Sequence, residues 1–95
     1  MNKHSVMEKR TEVSCRQKIV LDYSLILTDK HEKDLFEEET VYSILILQLE
    51  GGITTEYEFL YDVARNEENA VAILNTLVYN DVMPSNARDV LTDLL

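Results

Sequence analysis

Along the first two-thirds of the chain, hydrophobic and polar positions alternate with a period of two. From Lys18 to Thr28 the odd positions are Ile19, Leu21, Tyr23, Leu25 and Leu27, and the even positions include Asp22, Ser24 and Thr28. That pattern predicts a half-buried strand. Thr40 to Glu50 predicts a second strand, with Tyr42, Ile44 and Ile46 on one face and Val41, Leu45, Leu47 and Leu49 on the other. A strand apolar on both faces is central, or has its second face covered by something else. Gly51-Gly52 supplies the positive-φ residues of a two-residue hairpin. The third strand then runs from Ile53 to Ala64. Its Tyr57, Phe59 and Tyr61 read as the core-facing row, and Glu56 and Glu58 as the solvent row, with Leu60 an exception.

After Ala64 the period changes. Asn66 is a helix N-cap, with Glu67 and Glu68 in the first turn, where the helix dipole favours negative charge. Ala70, Ile73, Leu74, Leu77 and Val78 recur at helical spacing as one apolar stripe. Asn80-Asp81 ends this helix, and Pro84 breaks the chain direction. Ser85 is the expected cap of a second helix with the stripe Ala87, Val90, Leu91 and Leu94. That helix is too short to be stable alone, so it must dock. Strands followed by helices predict an α+β fold: an antiparallel sheet of three strands with two C-terminal helices packed on one face. A fourth strand is added if the alternation of Thr11, Val13 and Cys15 with Glu12, Ser14 and Arg16 pairs as well. Residues 1–12 otherwise read as a polar, mobile arm, and residues 13–95 as a single domain.

Charge sharpens this picture. Residues 1–18 carry five basic groups against two acids, whereas the rest of the chain carries four against sixteen, within a formal net charge of −9. An acidic body repels phosphate backbones, which argues against direct nucleic-acid binding. No apolar run approaches the roughly 20 residues of a membrane span. The polar N-terminal stretch has no signal-peptide core, and one cysteine, Cys15, forms no internal disulfide. A cytoplasmic protein is the expectation, with Cys15 a plain free thiol.

The residues that carry chemistry do not converge. His4 lies in the arm and His31 in a charged loop with Asp29, Glu32 and Asp34. These fit a solvated loop better than a metal site, which needs ligands at short, closing spacing. The run Glu37-Glu38-Glu39 reads as solvated charge. No phosphate-binding glycine loop and no Gly-x-Ser-x-Gly element occurs. No enzyme, cofactor or metal is therefore expected.

The C-terminal half carries a resemblance. Asp62-Val63, the Ala70–Val78 stripe, the turn Asn80-Asp81-Val82-Met83-Pro84 and the ending Arg88-Asp89-Val90-Leu91-Thr92-Asp93-Leu94-Leu95 resemble a family of small uncharacterised proteins from clostridia and related Firmicutes. The resemblance covers roughly residues 20–95 and leaves out the basic arm. It implies a bacterial, cytoplasmic setting and no activity. Asn80, Pro84, Asp89 and Asp93 carry the matching motif. They read first as a helix end, a turn and an exposed helix face, and second as a binding surface.

The expectation is a small non-enzymatic protein-interaction or regulatory module. Its partner is another protein or a second copy of itself, docking through the sheet, with Tyr42, Ile44 and Ile46 as the candidate surface. The alternative is an acidic inhibitor or nucleic-acid mimic, which rests on the acidic body alone.

Overall fold

The computed structural model describes residues 3–14, 18–30 and 39–94. Four strands, β1 (Lys3–Ser14), β2 (Ile19–Lys30), β3 (Glu39–Glu50) and β4 (Ile53–Ala64), are followed by helices α1 (Glu67–Tyr79) and α2 (Pro84–Leu94). The sheet is an antiparallel meander in the order β1-β2-β3-β4. The α+β architecture expected from the sequence is the one found, with the fourth strand present.

That fourth strand is β1, and it corrects the reading of residues 1–12 as a mobile arm. Lys3 to Ser14 pair with β2 along its length, from Lys3 opposite Thr28 to Ser14 opposite Ile19. Backbone hydrogen bonds do not depend on side-chain hydropathy, and a charged strand is suited to a sheet edge, where it discourages pairing with other chains. The arm and the domain are therefore one unit. Cys15, His31, Glu32, Asp34, Glu37 and Glu38 lie outside the described residues.

The β3–β4 hairpin turns at Gly51 (φ 62°) and Gly52 (φ 83°). Positive φ at both central residues is the type I′ arrangement, whose twist matches that of the strands. The main core lies on one face of the sheet, and Ile26, Val41 and Ser43 are buried on the other. Leu21, Tyr23 and Leu25 of β2, Ile44 and Ile46 of β3, and Leu60 and Val63 of β4 pack against Ala70, Leu74, Leu77, Val82, Ala87 and Leu91 of the helical segment.

The helices are capped locally and anchored at long range. The Asn66 side chain accepts the Asn69 N–H at 2.8 Å, the N-cap expected from the sequence. At the other end of α1, Asp81 N–H donates to the Val78 carbonyl and Val82 N–H to the Leu77 carbonyl. These two bonds form a Schellman motif, with Asp81 (φ 49°) in the left-handed position that glycine usually takes. The motif turns Val82 into the core. Its carbonyl accepts the buried Tyr23 hydroxyl at 2.9 Å.

The start of α2 differs from expectation. Pro84 is itself the first helical residue, where its missing N–H costs nothing. The cap is supplied by Asn86, whose Oδ1 accepts the Met83 N–H at 3.0 Å, and not by Ser85.

Candidate interaction surface

The register of the sheet decides which side chains the helices cover. Tyr42, Ile44 and Ile46, the candidate surface from the sequence, belong to the covered face. Ile44 and Ile46 are 0% exposed and Tyr42 is half-buried against the same core. This corrects their assignment as a docking surface: a partner cannot reach them while the helices are in place. The other row of β3 is Val41, Ser43, Leu45, Leu47 and Leu49, of which Val41 and Ser43 are 0% exposed and the three leucines half-buried.

β4 is reversed in the same way. Ile46 pairs with Glu58 and Gln48 with Glu56, so these glutamates lie on the helix side, where Arg88 of α2 donates to the Glu58 carboxylate. Leu45 pairs with Phe59 and Leu47 with Tyr57, which places the aromatic residues on the open face. Tyr57 is 70% and Tyr61 44% exposed, and the Phe59 and Tyr61 rings lie 6.3 Å apart. The expectation of a core-facing Tyr57-Phe59-Tyr61 row is thus overturned, and Leu60 is the core residue. A backbone irregularity explains how Leu60 and Val63, an odd number of residues apart, both point inward. Between Ile44–Leu60 and Tyr42–Ala64, β4 carries extra residues, and Asp62 adopts φ 56°. Its N–H donates to the Ser43 Oγ at 3.0 Å, which holds the bulge to β3.

The open face is graded across the sheet. One cross-strand row reads Arg10, Asp22, Leu47, Tyr57 and the next reads Glu8, Ser24, Leu45, Phe59. A third reads Glu12, Val20, Leu49, Thr54. Charge is confined to β1 and to Asp22, which Arg10 contacts at 2.9 Å. Across these rows β3 and β4 contribute leucines, aromatics and a threonine, and no charged side chain. In a chain with net charge −9 this uncharged apolar half-face is a distinct surface.

The remaining groups are structural. Burial raises the Tyr23 phenol above its ordinary value, with Asp81 adding to the effect. This tyrosine ties β2 to the α1–α2 turn and opens to no cleft. On the helix side Lys9 donates to the Asn75 side chain and Thr11 to Asp81 at 3.4 Å. Asn80 donates to the Thr76 carbonyl at 2.8 Å, Pro84 is buried, and Asp89 and Asp93 are exposed on α2. These four residues therefore occupy the helix end, turn and outer helix face that the simpler reading gave them. His4 sits on β1 opposite Leu27. Among the described residues no group of three or more His, Cys, Asp or Glu is placed to hold a metal ion, and no helix is long and apolar enough to cross a membrane. One surface depression of about 330 Å³ lies between β4 and the start of α2, lined by Thr55, Glu56, Tyr57, Glu58, Pro84 and Ser85. A second of about 300 Å³ lies between α1 and the end of α2, bordered by Ile73 and Leu94. Neither gathers an acid–base pair with a nucleophile.

The fold and this surface define a small α+β domain whose helices cover one side of a four-stranded meander. The chain matches the model of a family of unknown function, DUF6514, over residues 2–95, and so belongs to that family. The match takes in the N-terminal strand that the resemblance read from the sequence had left out. No curated protein and no solved structure matches the chain.

Proposed function

We propose that this chain is a small non-enzymatic protein-interaction module of the bacterial cytoplasm, and that it docks through the open face of its sheet. The observation that carries this reading is the uncharged apolar half-face formed by Leu45, Leu47, Leu49, Tyr57 and Phe59. Buried apolar surface is the main favourable term in association, and aromatic residues are enriched at the centres of interfaces. Tyr57, with 70% of its surface exposed, is placed to act as such an anchor. A lone cysteine suits a reducing compartment. The turn and terminal-helix motif at Asn80, Val82, Pro84, Asp89, Val90, Asp93 and Leu94 supports a setting in clostridia and related Firmicutes.

The test is photo-crosslinking in living bacterial cells with a benzophenone amino acid at Leu47 or, as the control, at the outward-facing Ala72 of α1. Discrete crosslinked protein bands from position 47 and none from position 72 are the expected result. No product at 47, or equal products at both positions, removes the open face as the docking surface.

A further inference from the structure

The two edges of the sheet are finished differently. β1 forms one edge and β4 the other, each bonded to a single neighbouring strand. β1 carries Lys3, Glu8, Lys9, Arg10 and Glu12, and its register slips between Ser5 and Met7 and again between Glu12 and Ser14. Charges of both signs and irregular pairing are usual protections of an exposed edge. The first half of β4 is less protected. Ile53–Glu58 contains no lysine, arginine or proline, and Ile53, Thr54, Thr55 and Tyr57 are strand-forming types. Its irregularity lies opposite Gln48 and Leu49, where Thr55 is the extra residue and donates its hydroxyl to the Gln48 carbonyl at 3.3 Å.

We infer that this stretch receives an extended segment of another protein as a fifth strand, with a basic side chain of that segment beside Glu56 and an apolar one beside Tyr57. The contact goes beyond the open face and does not depend on it.

Backbone and burial both favour an added strand. Every second residue of an edge strand turns its N–H and C=O away from its neighbour, and a partner strand gains affinity by bonding to them. Residues 53–57 are all exposed, Ile53 at 71% and Tyr57 at 70%, although the β3 residues opposite them are half-buried or buried. α2 begins beside this stretch and leaves the depression of about 330 Å³ between Pro84, Ser85 and residues 55–58. Farther along, Arg88 approaches the Phe59 carbonyl at 3.5 Å and the bulge at Asp62 bends the strand, so the accessible edge ends near Glu58.

Charge selects the occupant. Arg88 holds the Glu58 carboxylate and shows where a cation lies against this strand. Glu56 stands two residues back on the same face, and among the described residues no cation pairs with it. A basic residue on the helix side of the added strand lies next to Glu56, with its aliphatic stem along the depression. The residue after it points to the opposite face and meets Tyr57. The N-terminal end of α2 opposes a cation with about half an elementary charge, less than the full charge of the carboxylate. The net charge of −9 steers basic segments to the chain from a distance. A second copy of β4 is not the complement, because that strand carries Glu56, Glu58 and Asp62 and no base.

Hydrogen exchange of the full-length chain, followed residue by residue by NMR, tests the inference. The probe is a capped peptide of alternating arginine and valine. At saturation it is expected to slow alternate backbone amides within Ile53–Glu58 by about tenfold or more, and to leave the amides of β1 unchanged. A peptide of alternating glutamate and valine reverses the charge, and one of alternating arginine and proline keeps the charge but cannot pair as a strand. Neither is expected to slow these amides. Glu56→Arg changes an exposed side chain, with far-UV circular dichroism as the check on folding. It is expected to weaken binding of the arginine–valine peptide by about tenfold and to admit the glutamate–valine peptide. The inference is overturned by an absence of slowing within Ile53–Glu58, by equal slowing with the arginine–proline peptide, or by a Glu56→Arg chain that binds the arginine–valine peptide as tightly as the wild type. Crosslinking from Leu47 bears on the open face alone, so the two readings fail separately.

Discussion

The two faces of the sheet are built from neighbouring residues and behave as different materials. On the helix side, Leu21, Tyr23, Leu25, Ile44 and Ile46 are 0% exposed, Tyr23 donates to the Val82 carbonyl and Arg88 to Glu58, and Gln48 Oε1 is buried without a hydrogen-bond partner among the described residues. On the other side, Val20, Leu45, Leu47, Leu49 and Phe59 keep part of their surface, and Tyr57 most of it. Composition does not separate the faces, because leucine, isoleucine and tyrosine occur on both. What separates them is which face the helices chose. The covered face is a finished core. The other face is buried at Ile26, Val41 and Ser43 but has core-like composition without a core's cover around Leu45, Leu47, Leu49 and Tyr57, and this makes that part the place to look for function.

Alternating residues of β3 give the sharpest way to break this comparison. Ile46→Ala empties a fully buried site and is expected to cost about 2–5 kcal/mol. Leu47→Ala, the next residue on the opposite face, is expected to cost less than half of that in dilute solution. Urea unfolding of both variants checks the pair, and equal losses would mean that the open face is covered within a single chain.

Tyr23→Phe comes next. It leaves the buried Val82 carbonyl without its donor and is expected to cost about 1–3 kcal/mol. The same tyrosine gives a pH signature. Its folded pKa lies above the ordinary value of 10.0, so the protonated form is favoured by folding. Its contribution is complete below pH 10 and declines as pH rises above that, by at most about 1.4 kcal/mol per pH unit. Thermal unfolding against pH should show this alkaline loss in the wild type and a smaller one in Tyr23→Phe.

Asp81→Gly works in the opposite direction. A non-glycine residue in the left-handed region carries a penalty of about 1–2 kcal/mol, and glycine there relieves part of it. A raised melting temperature is expected, because the Schellman turn that aims Val82 at the core is then formed without strain.

The smallest effect belongs to the open face. Tyr57→Ser is expected to change monomer stability by less than about 0.5 kcal/mol, while reducing the binding of a hydrophobic dye. A large loss of stability would show that Tyr57 is part of the core and would erase the contrast between the faces.

Much of the fold is written in local pattern. The alternation of β2, the Gly51-Gly52 turn, the Asn66 cap and the helical stripe from Ala70 to Leu77 are short-range features, and each can be read within a few residues. The site was only half legible. That β3 has two apolar faces is plain from its residues, but which of them stays open is not.

Period-two alternation determines which residues share a face, because successive side chains on a strand point to opposite sides. It does not determine which face the helices cover, and here that choice put Tyr42, Ile44 and Ile46 inside and Leu45, Leu47 and Leu49 outside. In β4 the bulkier row, Tyr57, Phe59 and Tyr61, suggested the core. Register with β3 placed Leu60 there instead, and the bulge at Asp62 shifted the phase so that Val63 joined it. No local signal marks that bulge, since aspartate takes a positive φ only when the surroundings hold it there. The polar residues of β1 gave little sign of a strand, because an edge strand is held by backbone pairing with β2. The Tyr23–Val82 bond spans 59 residues. Sequence by itself thus determined three of the four strands, both helices, the hairpin and the charge of the chain. Tertiary structure decided which face was left open, because register, bulges and helix docking are long-range choices that no local pattern encodes.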